Sequence, residues 1–396
     1  MRFVYRVGCA VALVACADSQ NPTVPVSHRS LRPTDTPPAP SSTNTQFDPR
    51  TVPDLLEDLV GQRLRTVSIP PDGYSLASDA VHPDIACPPG NWSGASCWLM
   101  YTPYRNSDSG YENPALLSAS SDTSWNTPAE IKNPIVPYPG QGKYNSDPDH
   151  AYDPITGRMV QVYRVVADGF NKIMIMSTAD AKRWTPATVA FRERNHDAIS
   201  PSLIIERDRQ AKIWYVRAGV DGCVSTTSSV ELRVAMPDSN SNYEQSSWSV
   251  PKPVSLSIPG FVVWHLDVAS LGRNAGYIAL VVGYAKGVGC SESELWLATS
   301  PDGIVWRTYP MPVMWRTMKL ARRRSINTWY RGTLRYDAVT DSLHLWTSAL
   351  VGSKWFVYHT AAKLSELLGL LQVAQPADFR NALFSLRSAS PGMRMP

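Results

Sequence analysis

SASSDTSW at 118–125, STADAKRW at 177–184, SSWSVP at 246–251 and TSPDGIVW at 299–306 are near-copies of one phrase. They carry Trp125, Trp184, Trp248 and Trp306, at intervals of 59, 64 and 58 residues. Recurrence at a nearly fixed step of that size signals a propeller or a solenoid. Each phrase follows an apolar run (NPALLSAS, KIMIMSTA, VELRVAM, ELWLATS) and precedes a proline a few residues on. A strand, a tight turn of Asp, Gly and Ser, and an outer strand account for that order.

Working outward from the phrases, five inner-strand candidates follow: HPDIACPP (82–89), SDPDHAYDP (146–154), SPSLIIERD (200–208), WHLDVASLG (264–272) and YRGTLRYDA (330–338). Anchored on Asp84, Asp149, Ser202, Asp267 and Thr333, the steps are 65, 53, 65 and 66 residues. The chain therefore reads as all-β, a five-bladed β-propeller of four-stranded antiparallel blades over 61–362. LRTVSIP at 64–70 is expected to supply the outer strand that the last blade lacks, which removes an exposed edge. Leu364, Leu367, Leu368 and Leu371 sit at helical spacing and predict a short helical tail in 363–396.

The N-terminus has another character. Arg2 and Arg6 precede an apolar stretch from Val7 to Ala15, too short to span a bilayer permanently. Leu13-Val14-Ala15-Cys16 has the form of a lipobox, so residues 1–16 resemble a bacterial lipoprotein signal. The resemblance implies export, lipidation at Cys16 and a membrane anchor, with outer membrane or cell surface as the destination. Residues 17–60 are expected to form a Pro/Ser/Thr-rich tether. With Cys9 removed and Cys16 lipidated, Cys87, Cys97, Cys223 and Cys290 remain. Cys87 with Cys97 across a hairpin-like turn, and Cys223 with Cys290 in adjacent loops, are the expected disulfides. No Cys-x-x-Cys or His-x-x-x-His spacing occurs, so no metal or cofactor is expected, a structural Ca²⁺ in the channel being left open. The net charge is +4 and the basic residues are scattered except at Arg322, Arg323 and Arg324, which argues against a nucleic-acid partner.

Residues just before each inner strand ring one mouth of the channel in such an architecture. His82 and Asp84, Asp147 and Asp149, His196 and Asp197, His265 and Asp267, and Trp329, Tyr330 and Arg331 meet there. Glu112, Arg164 and Arg217 join them from second strands and the loops that follow. Four blades thus bring a carboxylate to one place. Trp264 and Trp329 offer either core packing or a stacking platform for a sugar ring. Asp122, Asp180 and Asp302, in the Trp-closed phrases, are expected to bond their own turn backbone on the far face.

The motifs HPD at 82–84, YENP at 111–114, YNSDPD at 144–149, SPS at 200–202, WHLDV at 264–268 and YR at 330–331 resemble the five-bladed glycoside hydrolases of the family 43 and family 32 group. That resemblance implies an Asp at the first and second inner strands and a Glu at the third. Asp84 matches the first, as base or nucleophile, and Asp147 or Asp149 the second. NHDAISPSLI carries no Glu at the third, leaving Asp197, Glu193 or Glu112 for the general acid. Cleavage would need one protonated and one ionised carboxyl, ~5 Å apart for retention or ~6.5–9.5 Å for inversion. The assignment is Asp84, Asp149, Asp197 and Glu112 as catalytic residues. His82, Asp147, Arg164, His196, Arg217, Trp264, His265, Asp267, Tyr330 and Arg331 contact the substrate. The expected protein is an exported, lipid-anchored, monomeric glycosidase acting on an oligo- or polysaccharide. The alternatives are a non-catalytic carbohydrate-binding propeller, or a sialidase-like hydrolase in which Arg164, Arg217 and Arg331 hold a carboxylate.

Overall fold

In the computed structural model, residues 52–71, 79–237, 242–318, 320 and 325–374 are described. The signal, Cys16, Arg322, Arg323, Arg324 and the end of the tail lie outside them. The described chain opens with helix α1 (Val52–Leu56) and a two-residue strand, β1 (Arg65–Thr66). Blade one follows as β2 (Ala80–Ala86), β3 (Trp98–Pro103), β4 (Ala115–Ser121) and β5 (Ser124–Asn126). Blade two is β6 (Tyr144–Asp153), β7 (Arg158–Ala167), β8 (Phe170–Thr178) and β9 (Thr188–Arg194). Blade three is β10 (Ile199–Ile205), β11 (Ala211–Arg217), β12 (Ser229–Ala235) and β13 (Lys252–Val254). Blade four is β14 (Phe261–Ser270), β15 (Tyr277–Ala285), β16 (Ser293–Ser300) and β17 (Arg307–Thr308). Blade five has β18 (Thr328–Asp337), β19 (Ser342–Val351) and β20 (Lys354–Lys363), and β1 completes it.

The expected ring closure is present: Arg65 and Thr66 pair antiparallel with His359 and Tyr358. Beyond β1, Ser68 accepts from the amide of Trp125 and donates its own amide to Thr123, so the same segment also grips blade one. Of the tether expected over 17–60, residues 17–51 lie outside the described ones, and 52–60 belong to the folded body. Val52, Leu56, Leu59 and Val60 are buried in the largest core cluster with Leu364, Leu367 and Leu371 of helix α2 (Leu364–Val373). Those apolar residues are what carry the N-terminal segment into the body. Both expected disulfides, Cys87–Cys97 and Cys223–Cys290, are formed.

The Trp-closed phrases are interblade stitching. Gly303 accepts hydrogen bonds from the indoles of Trp306, in its own phrase, and Trp214, from the preceding blade. A Cβ on Gly303 would lie 2.7 Å from the Trp214 ring, and φ is +77°, so only glycine fits. At the seam, the Trp346 indole of blade five donates to the Asp122 carbonyl in blade one's corresponding turn. Asp180 and Asp302 accept two amides each from their own turns, as expected. Asp122 departs from that pattern: its carboxylate faces His344 at 3.7 Å.

Candidate functional site

Every inner strand carries a register shift, between Val81 and Asp84, Ser146 and Asp149, and Ile199 and Ser202 at the anchor itself, and slightly earlier, between Val263 and His265 and between Trp329 and Gly332, in the last two blades. In the first three blades a proline follows the shifted residue, giving His82-Pro83-Asp84, Asp147-Pro148-Asp149 and Ser200-Pro201-Ser202. His82, Asp147 and Ser200 hold φ of +52°, +49° and +53°. Left-handed backbone at non-glycine residues is costly and persists where surrounding structure enforces it. A bulge re-aims the side chain it carries. The ring has two tiers, one at the anchor residues and one two positions earlier in the chain, at His82, Asp147 and His265.

The lower tier is the set used to align the blades, and it latches each blade to the next. Asp84 accepts the amide of His150 at 2.6 Å. Asp149 accepts the amide of Leu203 at 2.8 Å, and Ser202 Oγ that of Val268 at 2.9 Å. Asp267 accepts the amide of Leu334 at 3.0 Å. Thr333 donates its hydroxyl to Asp84 at 3.1 Å, which closes the circle. Asp84 also pairs with His150 Nδ1. Arg331 lies buried across the channel, donating to Asp149 and to the carbonyls of Pro148 and Pro201. Burial raises Asp267 to about 6 and Asp149 well above the ordinary carboxylate range, with neighbouring Asp84 adding to both.

The upper tier gathers His82, Asp147 and His265, one from each of three blades, with one donor atom apiece within 4.8 Å of the others. His82 Nε2 is 3.2 Å and His265 Nδ1 3.8 Å from Asp147 Oδ1. All three residues are buried, yet His82 Nε2, both ring nitrogens of His265 and Asp147 Oδ1 have no hydrogen-bond partner. The opposite atoms are occupied. His82 Nδ1 lies 2.8 Å from Thr102 Oγ1. Asp147 Oδ2 takes Arg164 Nε at 3.0 Å and the Ser200 amide at 3.2 Å.

Burial lowers His82 to about 3 and puts His265 well below the ordinary imidazole range, so both rings are neutral. Burial works against ionisation of Asp147, but Arg164 and the two imidazoles outweigh it and hold the carboxyl well below its ordinary range. Two neutral imidazoles and one carboxylate, with outer partners fixing His82 and Asp147, form the donor set of a divalent transition-metal site. Buried polar atoms left without partners are rare and costly. An ion among these atoms would satisfy them, so the residues fit a metal.

Two titratable side chains border the cluster. Glu112 Oε2 lies 4.0 Å from His82 Nδ1, also without a hydrogen-bond partner, and burial pushes this carboxyl up to about 8. The Tyr330 ring lies 4.6 Å from that of His265 and 5.2 Å from that of His82. Burial, with Glu112 and Asp147 nearby, raises its phenol well above the ordinary value, so it remains a hydrogen-bond donor.

The residues expected at one mouth are thus distributed over several places. His82, Glu112, Asp147, Arg164, His265 and Tyr330 share the upper tier; Asp84, Asp149, Asp267 and Arg331 belong to the lower. Asp197 and Arg217 pair at 3.3 Å in a half-buried group, with Arg217 also bound to Glu231. His196 sits beside them, its ring against Gly222. Trp264 and Trp329 are buried in the core, which corrects the stacking expectation for both. In the third blade Ser202 stands at the position of Asp84 and Asp149, and Ser200 at that of His82 and Asp147, its hydroxyl donating to the Leu266 carbonyl. Arg164, Arg217 and Arg331 each serve a protein carboxylate, so the arginine triad of a sialidase is not assembled. Sequence reasoning passed over Thr102 and the ligand-like convergence of His82, Asp147 and His265, because no local spacing marks residues drawn from separate blades.

No family model matches the chain. Over 335 residues, 70% of this chain, it is 24% identical to an A type blood N-acetyl-α-D-galactosamine deacetylase from Flavonifractor plautii. The matched region spans about two fifths of that relative, 41% of its length. A solved N-acetylgalactosamine deacetylase from F. plautii, in complex with blood group B trisaccharide, superposes with a TM-score of 0.65 at 19% identity, covering 79% of this chain and 96% of that one. A thermostable family-43 glycoside hydrolase gives 0.50 at 11% identity, covering 75% and 92% respectively. An α-L-arabinanase from Penicillium chrysogenum with arabinobiose also gives 0.50, at 12% identity and 77% and 99% coverage. The chain therefore has the five-bladed propeller fold of these carbohydrate-active proteins.

Proposed function

We propose that this protein is a metal-dependent deacetylase of N-acetylated sugars. The observation that carries the proposal is the convergence of unpartnered donor atoms from His82, Asp147 and His265 at a buried point. Likeness to a deacetylase of the same fold supports it. In the bound state a divalent ion would act as a Lewis acid on an amide carbonyl and lower the pKa of water. His82, Asp147 and His265 would hold it. Thr102 fixes the His82 tautomer, and Arg164 with the Ser200 amide fixes Asp147. Glu112, buried and proton-holding near neutral pH, is placed to exchange a proton with the water and the leaving amine. Tyr330, its ring beside those of His82 and His265, would donate its hydroxyl to an acetamido oxygen as that oxygen develops charge.

Glycoside hydrolysis by paired carboxylates is the second reading. One oxygen each of Asp84, Asp149 and Asp267 lies within 4.8 Å of the others, close to the separation of a retaining pair. Against it weigh the commitment of those oxygens to neighbouring blades, the Arg331 guanidinium across the channel and the serine at the third-blade position. We also propose export with a lipid anchor at Cys16. The paired cysteines support an oxidising destination.

The deciding experiment incubates the zinc-loaded protein with oligosaccharides ending in N-acetylhexosamines and measures acetate and free monosaccharide separately. Acetate release that is lost with a chelator and in His265→Ala is the expected result. Monosaccharide release that survives the chelator and disappears in Asp84→Asn would replace the deacetylase with the glycosidase.

A further inference from the structure

A second cluster with metal-ligand chemistry lies away from the channel, on the second and third strands of blade five, at the seam where the ring closes. His344 is on β19, His359 on β20 and Asp122 in the turn between β4 and β5 of blade one. His344 Nδ1 is 3.1 Å from His359 Nε2 and 3.7 Å from Asp122 Oδ2, and the three donor atoms fall within 4.8 Å of one another. Two nitrogens held at ~2.0–2.1 Å from one tetrahedral zinc are about 3.3 Å apart, so the imidazole spacing suits a shared ion.

The surroundings preset the donors. The Trp346 indole donates to the Asp122 carbonyl at 2.9 Å, which pins the turn against β19. Its ring stacks on His344 at 5.6 Å and lies 4.6 Å from His359. Burial, reinforced by Arg335, lowers both imidazoles, His359 to about 4, so their lone pairs are free of protons at neutral pH. Asp122 is about half exposed at 48%, which leaves a side open for a solvent ligand. Arg335 opposes a bound ion, Asp337 partly offsets it at His344, and Arg65 stands opposite His359 in the closing ladder.

An imidazole–imidazole hydrogen bond alone would account for the two histidines but not for Asp122. Its counterparts Asp180 and Asp302 spend their carboxylates on their own turn amides. Asp122 faces the histidines of another blade instead. We propose that Asp122, His344 and His359 bind a divalent transition-metal ion, with zinc the first to be tested, and that this ion staples blade five to blade one. A staple would add to a short closing ladder, in which Arg65 and Thr66 pair with β20 and the Val67 amide donates to the Val357 carbonyl.

The test equilibrates the full chain with micromolar free zinc and counts bound metal by elemental analysis, alongside thermal unfolding with and without zinc. Two ions per chain are expected in wild type, one in His344→Gln and one in Asp122→Asn, with a smaller zinc-induced rise in melting temperature in both variants. His359→Gln serves as a third variant, and near-ultraviolet circular dichroism reports whether each is folded. An ion count unchanged by His344→Gln and Asp122→Asn overturns the seam site. A single ion in wild type that is kept in His265→Ala and lost in His344→Gln supports the seam site while removing the one at the mouth. A single ion with the reverse dependence overturns the seam site and leaves the mouth intact.

Discussion

The hydroxyl of Thr333 donates to the carboxylate of Asp84 at 3.1 Å, joining the last inner strand to the first. Four further bonds at the same height run from each blade's anchor residue to the next blade, so the channel is belted by its own alignment ladder. This belt is structural chemistry. A buried acceptor removed from it strands the donors that pointed at it.

Asp84→Ala is therefore expected to destabilise the fold by ~2–4 kcal/mol, since the His150 amide, the His150 ring and Thr333 all lose their acceptor. Asp84→Asn keeps one acceptor oxygen and should cost less than half as much. Urea unfolding of the three proteins checks the order. Equal stability of wild type and Asp84→Ala, with activity abolished, would return Asp84 to catalysis.

Thr102→Val removes the partner of His82 Nδ1 without touching a proposed ligand. Loss of an outer partner typically weakens metal affinity ~10–100-fold by freeing the ring and its tautomer. Competition with a chromophoric chelator should read that change. The Thr102→Ser variant, which restores the hydroxyl, should recover it.

Glu112→Gln retains the shape of the buried carboxyl and deletes its proton exchange. Acetate release should fall ~10²–10⁴-fold in kcat while the number of bound metal ions stays the same. A variant that loses metal instead would make Glu112 a ligand or a support for one.

Asp302 is held below the ordinary carboxylate value of 3.8 by the amides of Val305 and Ile304. A group whose pKa is depressed by folding stabilises the folded state above its unfolded value, and that contribution disappears as the pH falls through the folded one. Wild type should thus melt above Asp302→Ala at pH 7, and the gap should narrow as the pH is taken below about 4. Thermal melts across pH 2–7 measure it. A constant gap would mean that the Asp302 side chain supports the turn equally well with its carboxyl protonated.

Much of the molecule was legible because its determinants are local. Alternating apolar residues, Asp/Gly/Ser turns and the Trp phrases repeat at intervals set by the blade, and they marked inner strands, ring closure and both disulfides. The boundary near 60 was less legible: Val52, Leu56, Leu59 and Val60 read as part of a polar stretch until helix α2 is there to receive them. Asp84 and Asp149 were recognised as positions before their work was visible. A sequence displays a carboxylate but not the amide of the neighbouring blade that it accepts.

The repeat, the closing strand and the cysteine pairs followed from the sequence by itself, since strands and turns are encoded within a few residues. Only the tertiary structure separated His82 from Asp84 and Asp147 from Asp149 into two tiers. The physical reason is that these side chains stand two residues apart on their inner strands: Asp84 and Asp149 lock neighbouring blades, while His82, Asp147 and His265 meet from three blades at a single buried point. In β2 and β6 a bulge falls between the two tiers, and β14 runs regularly from His265 to Asp267.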